Sequence, residues 1–350
     1  MRDENRSWGS SGCGGRQEQE FDGVLTLSDE PVAADTRLSA ADRLGGCMVR
    51  WGFGRERYRV APGLYAVGKP DDRSVVLVTA NYKLSFDLLR KELGGLDAWI
   101  LVLDTHGINV WCAAGKGTFG AAELARRIRL SGLRDRVSHR KLILPQLSAP
   151  GVAAHKVKSE TGFNVIYGPV RSRDIRPFLA NGMKASAEMR SVTFNLRERL
   201  AVVPTELVEA LKYSLILFAL LALWDAVRGG LSLRGLMAGG VPYLGALLTG
   251  TVAAPAFLPW IPPRSFALKG WLLGIAWALG IGLAHYDGPA RLAGDLLLLP
   301  AISAFMALNF TGNTTFTSQS GVNREIRMFA RPMAASGILG ILVLMGRSIL

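Results

Sequence analysis

Cysteine is scarce in this chain. Only Cys13, Cys47 and Cys112 occur in 350 residues, far apart and odd in number. No CxxC pair exists, so the chain cannot by itself supply the ligands of a structural zinc or iron–sulfur centre. On the same grounds no disulfide framework is expected to organise the fold, and Cys112 reads as a reduced thiol in a cytoplasmic domain. Acidic residues are also short, 28 Asp and Glu against 41 Lys and Arg, which leaves a net charge of +13. That excess does not read as a nucleic-acid surface, because no basic stripe with interleaved aromatics appears. An N-terminal apolar core of the signal-peptide kind is missing too. Asp3, Glu4, Glu18 and Glu20 make the first segment polar, and no cleavable signal is expected.

What is present is divided along the chain. A mean hydropathy of +0.23 conflicts with 20% charged residues unless the two are segregated, and they are. Residues 1–46, rich in Gly, Ser and charge, read as a disordered leader that includes Cys13. Residues 47–200 carry most of the charge and read as a cytoplasmic α/β domain. Trp51, Phe53, Tyr58 and Tyr65 among arginines mark a lead-in segment packed on its edge, of no legible function. Residues 201–350 read as an all-α transmembrane domain.

Within the α/β domain, strands are predicted at Val75–Ala80, Ala98–Asp104, Lys141–Leu144 with Gln146 and Leu147, and Phe163–Tyr167. Helices are predicted at Ser85–Leu93, Phe119–Leu130, Val152–Ser159 and Asp174–Ala180. Strands alternating with helices imply a doubly wound, Rossmann-like parallel sheet. The loops at Thr79–Asn81, Gly107–Lys116, Gln146–Gly151 and Gly168–Pro169 should then gather at one sheet edge, where such sheets bind ligands.

Five apolar spans follow: Leu207–Val227, Leu236–Leu258, Ala267–Ala284, Leu292–Phe310 and Met333–Met345. Most approach the roughly 20 residues that cross a bilayer, and the last needs its flanks. Arg190, Arg197, Arg199, Arg264, Lys269, Arg324, Arg327 and Arg331 put the α/β domain on the inside, against Arg228, Arg234 and Arg291 opposite. The Thr- and Ser-rich stretch Asn309–Met328 reads as a linker, or else as a docking surface. Asp225, His285 and Asp295 could mark an ion path, but helix-end placement is the simpler reading.

The run Gly107–Gly120, GINVWCAAGKGTFG, sits after the strand Ala98–Asp104. A cysteine beside a helix start and a lysine is a setting for nucleophilic thiols, but no companion base is evident. A phosphate-loop reading fails, because Val110 replaces its first Gly and Gly117 its Ser or Thr. An inert buried cysteine is the bland alternative.

The segment Asn109–Lys116, NVWCAAGK, resembles the cap-helix signature of the mercury-methylating corrinoid protein (HgcA) family, with every position filled. The stretch Leu144–Arg171 resembles corrinoid subunits of acetyl-CoA-pathway enzymes, which suggests a cobalamin-binding domain like that of the corrinoid iron–sulfur protein. The resemblance implies a corrinoid cofactor, base-off, with Cys112 as lower axial cobalt ligand and catalytic residue. It implies that Thr79, Asn81, Gly107, Asn109, Val110, Trp111, Cys112, Ala113, Ala114, Gly115, Lys116, Gly117, Gln146, Ser148 and Gly151 surround it. The implied activity is methyl transfer from cobalt to Hg(II), giving methylmercury. A ferredoxin with two [4Fe-4S] clusters would be the electron donor and a methyl-pterin methyltransferase the methyl source. A membrane-tethered methyl carrier of one-carbon metabolism is the alternative, and a transporter with a regulatory α/β domain a third. Asp104-Thr105-His106 begins a histidine-ligand motif, D-x-H-x-x-G, but Asn109 stands at its final glycine. The cysteine is therefore the preferred ligand.

Overall fold

The computed structural model describes residues 30–227, 232–314, 317 and 319–349. In the first half the elements run β1 (Val32–Ala33), α1 (Ala40–Arg50), β2 (Gly63–Val67), β3 (Val75–Ala80), α2 (Lys83–Glu92), β4 (Ala98–Leu103) and α3 (Val110–Lys116). They continue through α4 (Ala121–Leu130), α5 (Leu133–Arg136), β5 (Lys141–Leu144), α6 (Ala154–Thr161), β6 (Asn164–Tyr167) and α7 (Ile175–Ala180).

The sheet order is β1-β2-β4-β3-β5-β6. Strands β4, β3, β5 and β6 are mutually parallel, as the alternating pattern requires. Their order reverses between β3 and β5, the switch point at which a ligand crevice opens. Both faces are covered. Ala113, Phe119, Leu124 and Val157 pack with Val76, Val78, Leu101 and Leu142 on one side. Phe86, Leu89, Ile175 and Phe178 pack with Leu77, Ile100 and Ile143 on the other.

The sheet is nevertheless mixed, and the all-parallel expectation is corrected by β2, which pairs antiparallel with β4 from Gly63↔Val102 to Val67↔Ala98. The reason is that Ala98–Leu103 is buried along its whole length. Its second row of backbone N–H and C=O groups needs a partner, because a buried unpaired row is costly. The third predicted strand is also shorter than expected. It ends at Leu144, because Pro145 has no N–H to extend the ladder, and Gln146–Ser148 forms a 3₁₀ turn instead.

The expected leader, 1–46, overlaps ordered structure. Residues 1–29, with Cys13, lie outside the described residues, but β1 and most of α1 fall within it. Helix α1 has a full capping box between Ser39 and Asp42, a local signal for a helix start. Asp42 then ties α1 to α2: it pairs with Lys83 and, at 2.9 Å, with Arg90, while Asp87 receives Lys83 at 2.6 Å and Arg90 at 2.8 Å. The Lys83 ammonium, aided by Ser39 and Arg90 and opposed by partial burial, holds the Asp42 carboxyl far below the usual carboxylate range. A depressed folded-state value means that the contact contributes fully above the ordinary aspartate value. It is lost only as the pH falls below that value and through the depressed one. Amide exchange in α1, corrected for intrinsic rates, should therefore stay constant from neutral pH down to the ordinary aspartate value. Asp42→Asn should speed that exchange at neutral pH and cost about 1–3 kcal/mol.

Beyond α8 (Leu196–Leu200) the chain is helical: α9 (Val203–Val227), α10 (Leu233–Leu248), α11 (Ala254–Ala256), α12 (Phe266–Ala284), α13 (Pro289–Asn309) and α14 (Gln319–Ile349). A π-helical turn, Thr249–Ala253, joins α10 to α11. Among the described residues, five helical stretches are long and apolar enough to cross a membrane: Leu196–Val227, Leu233–Ala256, Phe266–Ala284, Pro289–Gly312 and Ser320–Arg347. The last, short by hydropathy alone, gains its length from the polar stretch before it. Glu325 in that stretch accepts the Phe266 and Ala267 amides at 2.9 and 3.2 Å, capping α12. Asp225 accepts the Ser232 amide at 2.6 Å, at the end of α9, whereas Asp295 is buried in the second turn of α13 and pairs with Arg291 at 2.8 Å. Arg228 lies outside the described residues. The halves are joined where Arg171, after β6, pairs at 2.7 Å with Glu198 of α8.

Candidate functional site

The loop after β4 is built around one buried amide. Asn81, just past β3, accepts the Thr105 amide (3.1 Å), the Thr105 hydroxyl (2.9 Å) and the Gly107 amide (2.9 Å). Its Nδ2 donates to Asp104 at 3.1 Å. Its side-chain oxygen is thus fully engaged by the loop, which makes Asn81 a positioning residue. Glu123 of α4 accepts the Asp104 amide at 3.0 Å and is itself held by Arg127 at 2.8 Å. Motif reasoning does not single out Glu123; its spacing of four from Arg127 is the available signal. Asn81→Ala would leave two buried amides without an acceptor. It is expected to cost about 2–4 kcal/mol, seen as faster exchange of the Thr105 and Gly107 amides and a lower melting temperature.

Helix α3 follows at once. Asn109 is its N-cap, accepting the Cys112 amide at 3.0 Å, and Gly117, with φ of 81°, closes it in the left-handed conformation. Thr79, Asn109, Val110 and Trp111 line a cavity of about 250 Å³ together with Ile143, Pro145, Leu147, Pro169 and Val170. All four predicted loops therefore meet at the switch point. Ser85, Leu88 and Leu89 of α2 and Ile175 of α7 also line it, residues that no motif in the sequence singles out.

The remaining predicted residues separate by position. Cys112 is a free thiol, partly exposed on α3 and outside the cavity lining. Gly115, Lys116 and Gly117 are exposed beside it. Ala113 and Ala114 turn the other way, into the core with Phe119. Their smallness serves the close approach of Gly151, where a methyl group would overlap the Phe119 carbonyl and stand 2.9 Å from the Ala114 Cα. Gly107 is buried with φ of 75°, a turn requirement. Ser148 spends its hydroxyl on the Pro145 carbonyl at 2.8 Å. Gln146 Oε1 is buried and has no hydrogen-bond partner among the described residues. His106, left-handed at φ 57° and with a largely exposed side chain, stands 3.7 Å from Asp104.

The residues fit a corrinoid on three counts. The thiol is reachable from solvent, the surface around Gly115–Gly117 is open, and an orphaned acceptor at Gln146 is available to a ligand amide. The cavity is smaller than the roughly 300–1,000 Å³ of a small-molecule site, so it holds at most a side arm of such a group. Among the described residues no cluster of three or more His, Cys, Asp or Glu converges, which leaves single side chains as protein donors.

Residues 54–179 match the family described as CO dehydrogenase/acetyl-CoA synthase delta subunit. Similar proteins include the acetyl-CoA decarbonylase/synthase complex subunit gamma of Methanopyrus kandleri, 35% identical over 127 residues, which is 36% of this chain and 27% of that one. The same subunit of Archaeoglobus fulgidus is 33% identical over 127 residues, 36% and 27% of the two chains. That of Methanocaldococcus jannaschii is 33% identical over 129 residues, 36% and 26%. The chain spans about a quarter of the length of these relatives. The α/β half, which holds Cys112, is thus similar to part of the acetyl-CoA decarbonylase/synthase gamma subunits, and the five long helices lie beyond the family match.

Proposed function

We propose that this chain is a membrane-anchored corrinoid protein that carries a methyl group in one-carbon chemistry, with Cys112 as the protein ligand to cobalt. The observation that carries the reading is the partly exposed thiol of Cys112 on a helix laid over the switch point of a sheet similar to acetyl-CoA decarbonylase/synthase subunits. When bound, a corrinoid supplies a cobalt centre that accepts and releases a methyl group, tuned by its axial ligand. The chain's own part is to hold the sulfur in place. Asn109 starts α3, Gly117 ends it, and Gly151 lets the loop after β5 press against its inner face. Backbone groups of Gly115–Gly117, with Gln146, would take the cofactor's amide side arms.

A narrower reading follows from the NVWCAAGK segment and from five helices that the matched relatives' aligned region does not include. In it the methyl acceptor is Hg(II) and the product methylmercury. The three cysteines form no CxxC pair, so electrons must come from a second protein, for which a two-cluster ferredoxin is suited. A methyl-pterin methyltransferase would supply the methyl group. The lysine and arginine distribution favours an α/β domain on the cytoplasmic side of the inner membrane.

Cobalt content of the purified chain tests the first reading, and a cobalt-free protein from corrinoid-replete cells would overturn it. Methylmercury production by a deletion strain carrying this chain tests the second. Loss on deletion and return on complementation are expected; unchanged production on deletion would leave only the carrier.

A further inference from the structure

Helix α1 carries an apolar stripe with no partner among the described residues. Leu44, Met48 and Trp51 are 64%, 47% and 45% exposed and lie on one face at helical spacing, with Phe53 just beyond at 50%. The opposite face, Gly46 and Val49, is buried on the domain. Arg43 and Arg50 run along one edge of the stripe, both exposed. Large exposed apolar side chains grouped in this way mark a contact surface rather than the scatter of an ordinary exterior.

The position of the stripe identifies what it touches. Thr205, in the first turn of α9, donates its hydroxyl to the Arg50 carbonyl at 2.9 Å. Since α9 belongs to the first of the membrane-length helical stretches, this contact ties the carboxyl end of α1 to the end of that helix nearest the α/β domain. Leucine, methionine, tryptophan and phenylalanine beside arginines are the composition of helices that lie in the interface. Tryptophan favours the headgroup level, and arginine is drawn to anionic lipid.

We infer that α1 is an interfacial helix whose Leu44–Met48–Trp51 stripe enters the anionic bilayer surface from which α9 departs. The α/β domain is then held against the membrane at two points, α1 and the α8–α9 connection, and cannot swing freely on one tether. This inference rests on the long helices being membrane-spanning, not on the corrinoid reading.

Cys47, exposed on α1 beside the stripe, supplies the probe site. The full chain, with Cys13→Ser and Cys112→Ser, is spin-labelled at Cys47 and placed in phosphatidylcholine vesicles containing phosphatidylglycerol. Collisions with a water-soluble nickel chelate should be severalfold fewer, and those with oxygen more frequent, than for a label at Ser159→Cys on the exposed side of α6. Arg43→Glu with Arg50→Glu should return the Cys47 label toward water in these vesicles and change nothing in detergent. Equal nickel access at both sites overturns the proposal. So does shielding that persists in detergent and disappears when residues 2–29 are deleted, which would make the chain's own segment the cover. Shielding that arises only on adding a second protein overturns it likewise.

Discussion

Cys112→Ala is expected to abolish methyl transfer while leaving the fold as it is. The two halves of that statement have separate causes. Cys112 is only partly buried, and its amide, not its sulfur, is what Asn109 bonds at N-cap distance. Alanine keeps that amide and is a better helix former than cysteine by about half a kcal/mol. The melting temperature should therefore stay within error of the parent. The function should not. Removing even an outer partner of a metal ligand costs such sites about 10–100-fold in affinity or activity, so loss of the ligand itself should cost at least ~100-fold. The accompanying change is spectroscopic: absorption features of a sulfur-ligated cobalt disappear in the variant. Residual activity near the parent level, with an unchanged spectrum, would remove Cys112 from the coordination sphere and shift attention to His106, the other donor at this rim.

Much of this is legible in the residues, and the parts that are not share a physical cause. The parallel strands stand out because a strand buried on both faces must be apolar throughout, as VVLVTA and AWILVL are. The four loops that meet at the cavity follow from topology, since parallel strands put all their carboxyl ends on one side. The antiparallel strand GLYAV does not stand out. Turn residues flank it, Pro62-Gly63 at its start and Gly68-Lys69-Pro70 after, but its direction and its place depend on the free edge of β4, a tertiary fact. Helix α1 is hidden for a related reason. Its outward face is apolar and its inward face contains Gly45 and Gly46, so the usual amphipathic pattern is inverted.

The site shows the same division. The identity of Cys112 and its position after β4 come directly from local order in the chain. The small residues around it do not mean what their size suggests: Ala113 and Ala114 serve the core, while Gly115 and Gly117 are the open ones. Only packing separates these pairs, because a helix turns about 100° per residue, so a run of small residues covers both its inner and its outer face.

That distinction makes Gly151→Ala the sharper test of how the site is held. A methyl group at position 151 would overlap the Phe119 carbonyl and stand 2.9 Å from both Cα and O of Ala114. These are backbone atoms of α3 and of the turn that follows it, so no side chain can rotate away. The strain must be relieved by moving α3 off the loop after β5. Overpacking against rigid neighbours costs about 1–3 kcal/mol, and here the displaced element is the one that carries Cys112. Gly151→Ala should therefore lower the melting temperature and cobalt retention together. Gly115→Ala separates the two effects. Its added methyl meets nothing within 4 Å, and replacing a helical glycine should stabilise by about 0.5–1 kcal/mol. If a flat macrocycle lies against that open face, Gly115→Ala lowers cobalt retention in a protein at least as stable as the parent. If Gly115→Ala binds cobalt normally, the macrocycle does not reach this end of α3. If Gly151→Ala melts and binds like the parent, α3 is not held by the contact on which the site's geometry depends.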